Sequence, residues 1–209
     1  NLNAKNFCLM ECNEQSTSSE NWQTVIEHRE ETLLEYIDVF KSHLVICERI
    51  KGVLNFRIIQ TKTQQEHYIE FPEDSYVAYT TANYQFNSTK LRLWYNSLTT
   101  PGTTFEYDMD SREKTILKEK EVLGSFNKEN YISSKIWATA TDGTKVPISI
   151  VHKKGIKLDG NNPLLQYAYG SYGYSMDPNF SSNRLSLLER GFIFAIAHIR
   201  GGEEMGRSF

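Results

Sequence analysis

The chain has 209 residues and a mass of 24.2 kDa, enough for one or two domains with a buried core. Hydrophobic residues make up 39% and charged residues 23%, a balance that excludes disorder as the main state. A net charge of −3 argues against nucleic acid as a partner, and no apolar stretch approaches the roughly 18–20 residues that span a bilayer.

Asn1-Leu2-Asn3-Ala4-Lys5 has neither a Met nor the pattern of a signal peptide, and reads as the start of a piece of something longer. Cys8, Cys12 and Cys47 are too few and too odd in number for a disulfide scaffold. They suit a reducing compartment, which gives a cytoplasmic expectation.

From residue 30 onward the chain is a succession of short strands. The expected ones are Leu33–Phe40, Leu44–Ile50, Val53–Thr61, His67–Phe71, Tyr76–Thr81, Lys90–Leu98, Thr104–Asp108 and Thr115–Glu121. They are rich in β-branched and aromatic residues, and turn residues such as Lys51-Gly52 and Asp110-Ser111-Arg112 separate them. Such spacing suits a sandwich, a barrel or propeller blades, and no strict repeat selects among them.

Near residue 124 the rhythm changes. Tyr131–Thr141 and Thr144–His152, joined at Asp142-Gly143, read as a further hairpin. After a polar loop, Pro163 leads into the run Leu164–Tyr169 and the loop Gly170-Ser171-Tyr172-Gly173. A helix is expected over Ser181–Arg190, with Asn179, Ser181 or Ser182 as N-cap and Gly191 past its end. Phe192–Ile199 is almost wholly apolar, as a parallel strand buried on both faces would be. Residues 163–199 therefore form a strand–helix–strand unit, followed by the sharp loop Arg200-Gly201-Gly202. The expected division is an all-β part over residues 1–124 and the opening of an α/β part over residues 125–209. One crossover leaves a sheet with open edges, so the α/β part is expected to continue beyond residue 209.

Candidates for chemistry are sparse. No serine stands in Gly-x-Ser-x-Gly, the strained elbow that lifts a nucleophile; Ser208 has Gly206 before it, but the pattern is not completed. Cys8 and Cys12 are spaced C-x₃-C without a second pair, so no metal site is expected. No glycine loop has the phosphate-binding spacing, and no cofactor is expected. His28, His43, His67, His152 and His198 are scattered. His198 stands at a strand end beside a glycine loop, with no adjacent nucleophile expected anywhere in the chain. Tyr169 is the exception. It falls at the carboxyl end of a strand, where open α/β sheets gather ligands, and Gly170 permits a close approach. A tyrosine hydroxyl there can donate to a developing oxyanion; aromatic packing is the competing reading.

Several segments carry a resemblance to a known family. They are Tyr167-Ala168-Tyr169-Gly170-Ser171-Tyr172-Gly173, Arg184-Leu185, Arg190-Gly191 and Arg200-Gly201-Gly202-Glu203-Glu204-Met205-Gly206, with Ser97-Leu98-Thr99-Thr100-Pro101, Phe105–Met109, Glu129-Asn130-Tyr131 and Thr141-Asp142-Gly143 upstream. On these the chain resembles the prolyl oligopeptidase family of serine peptidases, most closely the branch that cuts after Arg and Lys. The resemblance implies the last blades of a seven-bladed β-propeller followed by the first strands and helix of an α/β-hydrolase domain. It implies short peptides as substrates, hydrolysed through an acyl-enzyme, with the serine, acid and histidine of the triad lying past Phe209. It makes Tyr169 an oxyanion-hole donor and Tyr172 an aromatic residue of the substrate pocket. The chain alone is expected to be inactive. A post-proline or acyl-amino-acid preference, or a non-catalytic propeller module, are the alternatives. One departure is Glu203, where the family pattern has a third glycine; a left-handed backbone there would strain it.

Overall fold

Short strands rich in Val, Ile, Tyr and Thr can satisfy their backbone groups only by pairing with neighbours. In the computed structural model, which describes residues 3–209, they do so in four sheets. The first is a pair, β1 (Leu9–Glu11) with β2 (Gln23–Ile26). These two strands lie in a polar stretch and carry no alternation that sequence reasoning could detect.

The second sheet is an antiparallel meander of β3 (Thr32–Val39), β4 (His43–Ile50), β5 (Val53–Gln60) and β6 (Glu66–Tyr68). The third repeats that plan with β7 (Tyr76–Thr80), β8 (Lys90–Ser97), β9 (Thr103–Asp108) and β10 (Lys114–Glu119). Lys51 and Gly52 both take left-handed conformations, at φ 49° and 84°, the geometry of a two-residue hairpin turn. The two four-stranded meanders pack on one shared core, the arrangement expected of successive propeller blades.

β4 is buried on both faces. Val45 and Cys47 point into the core shared by the two meanders, with Phe56, Ile58, Leu91 and Leu93. Ile46 points the other way, against Ile26 and Leu9 of the first pair. Glu48 is fully buried at the end of β4; Arg29 pairs with it and the Tyr68 hydroxyl donates to it at 2.8 Å. A buried carboxylate needs such partners.

The fourth sheet is mixed. Its order is β11 (Tyr131–Thr139), β12 (Lys145–Lys153), β14 (Ile193–Ala197), β13 (Leu164–Tyr167). β13 and β14 are parallel and joined through helix α1 (Ser182–Leu188); β12 runs antiparallel to β14. The expected strand–helix–strand unit is present, and the hairpin expected before it belongs to the same sheet. The helix is shorter than expected, and Ser181 takes the N-cap backbone position without a side-chain cap bond. β14 is buried, whereas β13, at the sheet's edge, is exposed along its length.

The mixed sheet is tied to the second and third. Leu98, 2% exposed, leaves the end of β8 and enters the core of the mixed sheet with Val151, Leu188 and Ile196. Phe180 N–H donates to Asn96 Oδ1, and Arg49 of β4 reaches Asp177 Oδ1 at 3.0 Å.

Candidate functional site

β13 ends at Tyr167, so Tyr169 stands two residues beyond it, on the loop that leads to α1. Tyr169 is 47% exposed, and its ring meets Tyr174 edge-on at 6.0 Å. Tyr172 is 94% exposed and takes a left-handed backbone, φ 57°, at the loop tip. Tyr167, Tyr169, Tyr172, Tyr174 and Met176 line one open recess of about 440 Å³. Both tyrosines singled out in the sequence are thus on one surface, and Tyr174 joins them.

The loop is held by a second loop, residues 200–206, at the end of β14. Gly173 N–H donates to Gly201 O at 2.9 Å, and Gly173 and Gly202 form a parallel bridge. The glycines at the contact are required by space. A Cβ on Gly170 would lie 2.5 Å from Ile199 Cγ1, and one on Gly201 would lie 2.2 Å from Gly170 O. Both also have positive φ, 66° and 94°.

Glu203 does not bear the expected strain. Left-handed geometry in this loop falls on Gly201 and Gly206, with Glu203 between them outside it. Its side chain lies over Gly173, where an added Cβ would be 2.8 Å from Oε1, and Arg207 Nε stands 3.4 Å away.

Glu204 was not singled out, and it is the buried carboxylate of the site, at 2% exposure. Its Oε1 accepts the Met176 N–H at 2.8 Å and faces His198 Nδ1 at 3.5 Å. Burial raises the Glu204 carboxyl, and the facing His198 ring with the Met176 N–H more than offsets that, leaving it below its ordinary value. The reading of His198 needs a correction as well. No nucleophile is near it in sequence, but Ser149 Oγ of β12 lies 2.7 Å from its Nε2. Ser75 Oγ lies 2.5 Å from Ser149 Oγ, so a chain of polar contacts runs from Ser75 through Ser149 and His198 to Glu204. Ser149, His198 and Glu204 are all buried, so this line holds structure together and presents no hydroxyl to a substrate. The i, i+6 spacing of His198 and Glu204 crosses a tight turn, which is why no sequence pattern disclosed it.

The other histidines have structural partners. His43 is buried between Ser42 Oγ at 3.1 Å and Asp110 Oδ1 at 3.3 Å, and His152 Nδ1 meets Lys153 O at 2.9 Å. His67 packs on Tyr107, with its pKa lowered by burial and then by Arg112 and His43. His28 stands 3.9 Å from Glu30. Ser208 is exposed on the last turn. Cys8 is half-buried and Cys12 exposed, and among the described residues no three metal-ligating side chains stand together. No helix of the described residues is long and apolar enough to cross a membrane.

Comparison with known proteins gives the frame for this geometry. The family model described as "Prolyl oligopeptidase, N-terminal beta-propeller domain" matches residues 1–120. The chain is 40% identical to dipeptidyl aminopeptidase BI of Pseudoxanthomonas mexicana, over 99% of its own length and 28% of that protein's. It is 34% identical to Protease 2 of Moraxella lacunata, over 100% of its own length and 30% of that protein's. Among solved structures it superposes on oligopeptidase B from Leishmania major with a TM-score of 0.89 and 32% identity, covering 98% of this chain and 30% of that one. The chain thus spans less than a third of the length of these relatives.

Proposed function

The chain belongs to the prolyl oligopeptidase family, and from that premise we propose that it is part of a serine oligopeptidase that hydrolyses short peptides, after Arg or Lys, through an acyl-enzyme. The observation that carries the reading is the superposition on oligopeptidase B across nearly the whole chain. In this reading residues 1–124 belong to the propeller and residues 125–209 open an α/β-hydrolase domain. The mixed sheet, with its parallel β13–β14 pair crossed by α1 and an antiparallel β12 beside it, supports that division.

Chemically, a serine activated by a histidine attacks the scissile carbonyl, the C–N bond breaks as the histidine gives the proton to the departing amine, and water then hydrolyses the acyl-enzyme ester. Those groups are not supplied by these residues. What this chain contributes is Tyr169, whose hydroxyl donates to the tetrahedral oxyanion, and Tyr172, whose ring flanks the bound peptide. The support is positional: both stand at the carboxyl end of β13, on a loop that Gly170 and Gly201 fix against its neighbour.

The 40% identity to a dipeptidyl aminopeptidase favours a second reading, release of dipeptides from a free N-terminus. One experiment separates the two. A polypeptide of the relatives' length carrying this chain is assayed on chromogenic amides ending in Arg, Lys, Pro or Ala, each with a free and a blocked α-amino group. Cleavage of blocked Arg and Lys amides is the expected result. Cleavage confined to free dipeptide amides supports the second reading, and cleavage after Pro keeps the family but overturns the Arg/Lys preference. No cleavage of any amide overturns the enzymatic reading. Tyr169→Phe in the same polypeptide is expected to lower kcat on the order of 10²–10³-fold, with a far smaller change in KM. An unchanged kcat excludes Tyr169 from the oxyanion hole.

A further inference from the structure

The tyrosine loop and the 200–206 loop meet through backbone at Gly173, but one side chain closes the contact. Glu204 turns inward from the second loop and accepts the N–H of Met176, farther along the tyrosine loop. Its other oxygen, Oε2, is buried against Gly202: a Cβ on Gly202 would lie 2.0 Å from it. The same carboxylate faces His198, which is fixed in turn by Ser149 and, across to the preceding meander, by Ser75. The segment 170–176 is therefore pinned at one end by the glycine stack and at the other by Glu204. Tyr169 immediately precedes that segment and packs edge-on against Tyr174 within it.

We propose that Glu204 is the positioning residue for Tyr169: by holding Met176 N–H it fixes the segment whose Tyr174 ring packs against Tyr169, and so places the tyrosine hydroxyl at the reacting carbonyl. The proposal rests on the oxyanion reading of Tyr169. A displacement of about 1 Å in a reacting group costs on the order of 10²-fold in rate, so loss of this anchor should be read in kcat.

The test uses the same full-length polypeptide and a cleavable peptide amide. Glu204→Ala is expected to lower kcat about 10- to 100-fold with KM changed by less than about threefold. Glu204→Gln keeps an oxygen for Met176 N–H and is expected to stay within about threefold of the parent. Added to Tyr169→Phe, Glu204→Ala is expected to cost less than about threefold more, because the group it positions is already gone. Losses that multiply in the double variant, or equal losses from Gln and Ala, overturn the proposal. If Tyr169→Phe lowers kcat and Glu204→Ala does not, the proposal fails and the oxyanion reading survives. If Tyr169→Phe leaves kcat unchanged, the oxyanion reading fails and the proposal falls with it. Should Glu204→Ala not accumulate as folded protein, Glu204→Asp replaces it. That variant withdraws the carboxylate by one methylene and is expected to lower kcat as Ala would, and an Asp variant with the parent's kcat overturns the proposal.

Discussion

Asp108 shows how much one side chain can fix locally. Its Oδ1 accepts the N–H groups of Asp110 and Ser111, at 2.9 and 2.8 Å, and its Oδ2 meets Lys90 Nζ at 2.9 Å. The Lys90 contact first, then the Ser111 amide, holds its carboxyl down at about 2. A carboxyl depressed in the folded state stabilises above its ordinary value, near 4, and that contribution is lost as pH falls toward 2. Asp108→Ala is therefore expected to melt at a lower temperature than the parent at pH 7, and the gap is expected to shrink between pH 4 and pH 2. A gap that persists undiminished at pH 2 contradicts this account. Glu203 teaches the complementary point. Replacing a glycine looks costly only while its φ is unknown; here the left-handed positions are taken by its glycine neighbours, and a carboxylate is accommodated.

At the scale of elements, the segment Ser97-Leu98-Thr99-Thr100-Pro101 is explained by what surrounds it. Ser97, Thr99 and Thr100 hydroxyls, together with Tyr95, all donate to the Glu73 carboxylate. That collar fixes the corner after β8 and drives Leu98 into the core of the mixed sheet. Leu98→Ala removes a fully buried side chain and is expected to cost about 2–5 kcal/mol. A denaturant titration in which its midpoint matches the parent's would show that the corner is not a core element. The blade strands were legible because alternation marks a half-buried strand. β1 and β2 were not, since three or four residues in a polar stretch take their pairing from partners distant in sequence. β13 was legible as a strand, but its exposure was not, because an apolar run reads the same at an edge as at the centre of a sheet.

For the whole molecule, the informative contact is the one that crosses from β4 to the mixed sheet. Arg49, almost fully buried, is held by Glu35 Oε1 at 2.7 Å and Asp177 Oδ1 at 3.0 Å. Burial pushes the Asp177 carboxyl above its ordinary range despite Arg49. Removing one partner of a buried pair costs on the order of 3–5 kcal/mol because the other charge is left unpaired. Asp177 and Glu35 keep some contact with water, which places Arg49→Met toward the lower end of that range. Two readouts check it: a lower unfolding midpoint, and faster amide exchange over residues 176–180, which the pair holds against β4. Unchanged exchange there would mean that other contacts, among them those of Asn96, Leu98 and Ser75, fasten the mixed sheet.

The sequence alone determined the β-rich character, most of the strands, the strand–helix–strand unit and the family. Each depends on local alternation, on turn residues, or on motifs contiguous along the chain. The tyrosine loop was visible for the same reason: Gly170 and Gly173 flag it within a few residues. Only the tertiary structure decided that β11 and β12 share a sheet with β13 and β14, and that Ser75, Ser149, His198 and Glu204 form one buried line. Those four residues come from separate segments and have no shared period. Their proximity is set by packing one sheet against another, and a buried polar group leaves a mark in sequence only when its partner lies nearby along the chain.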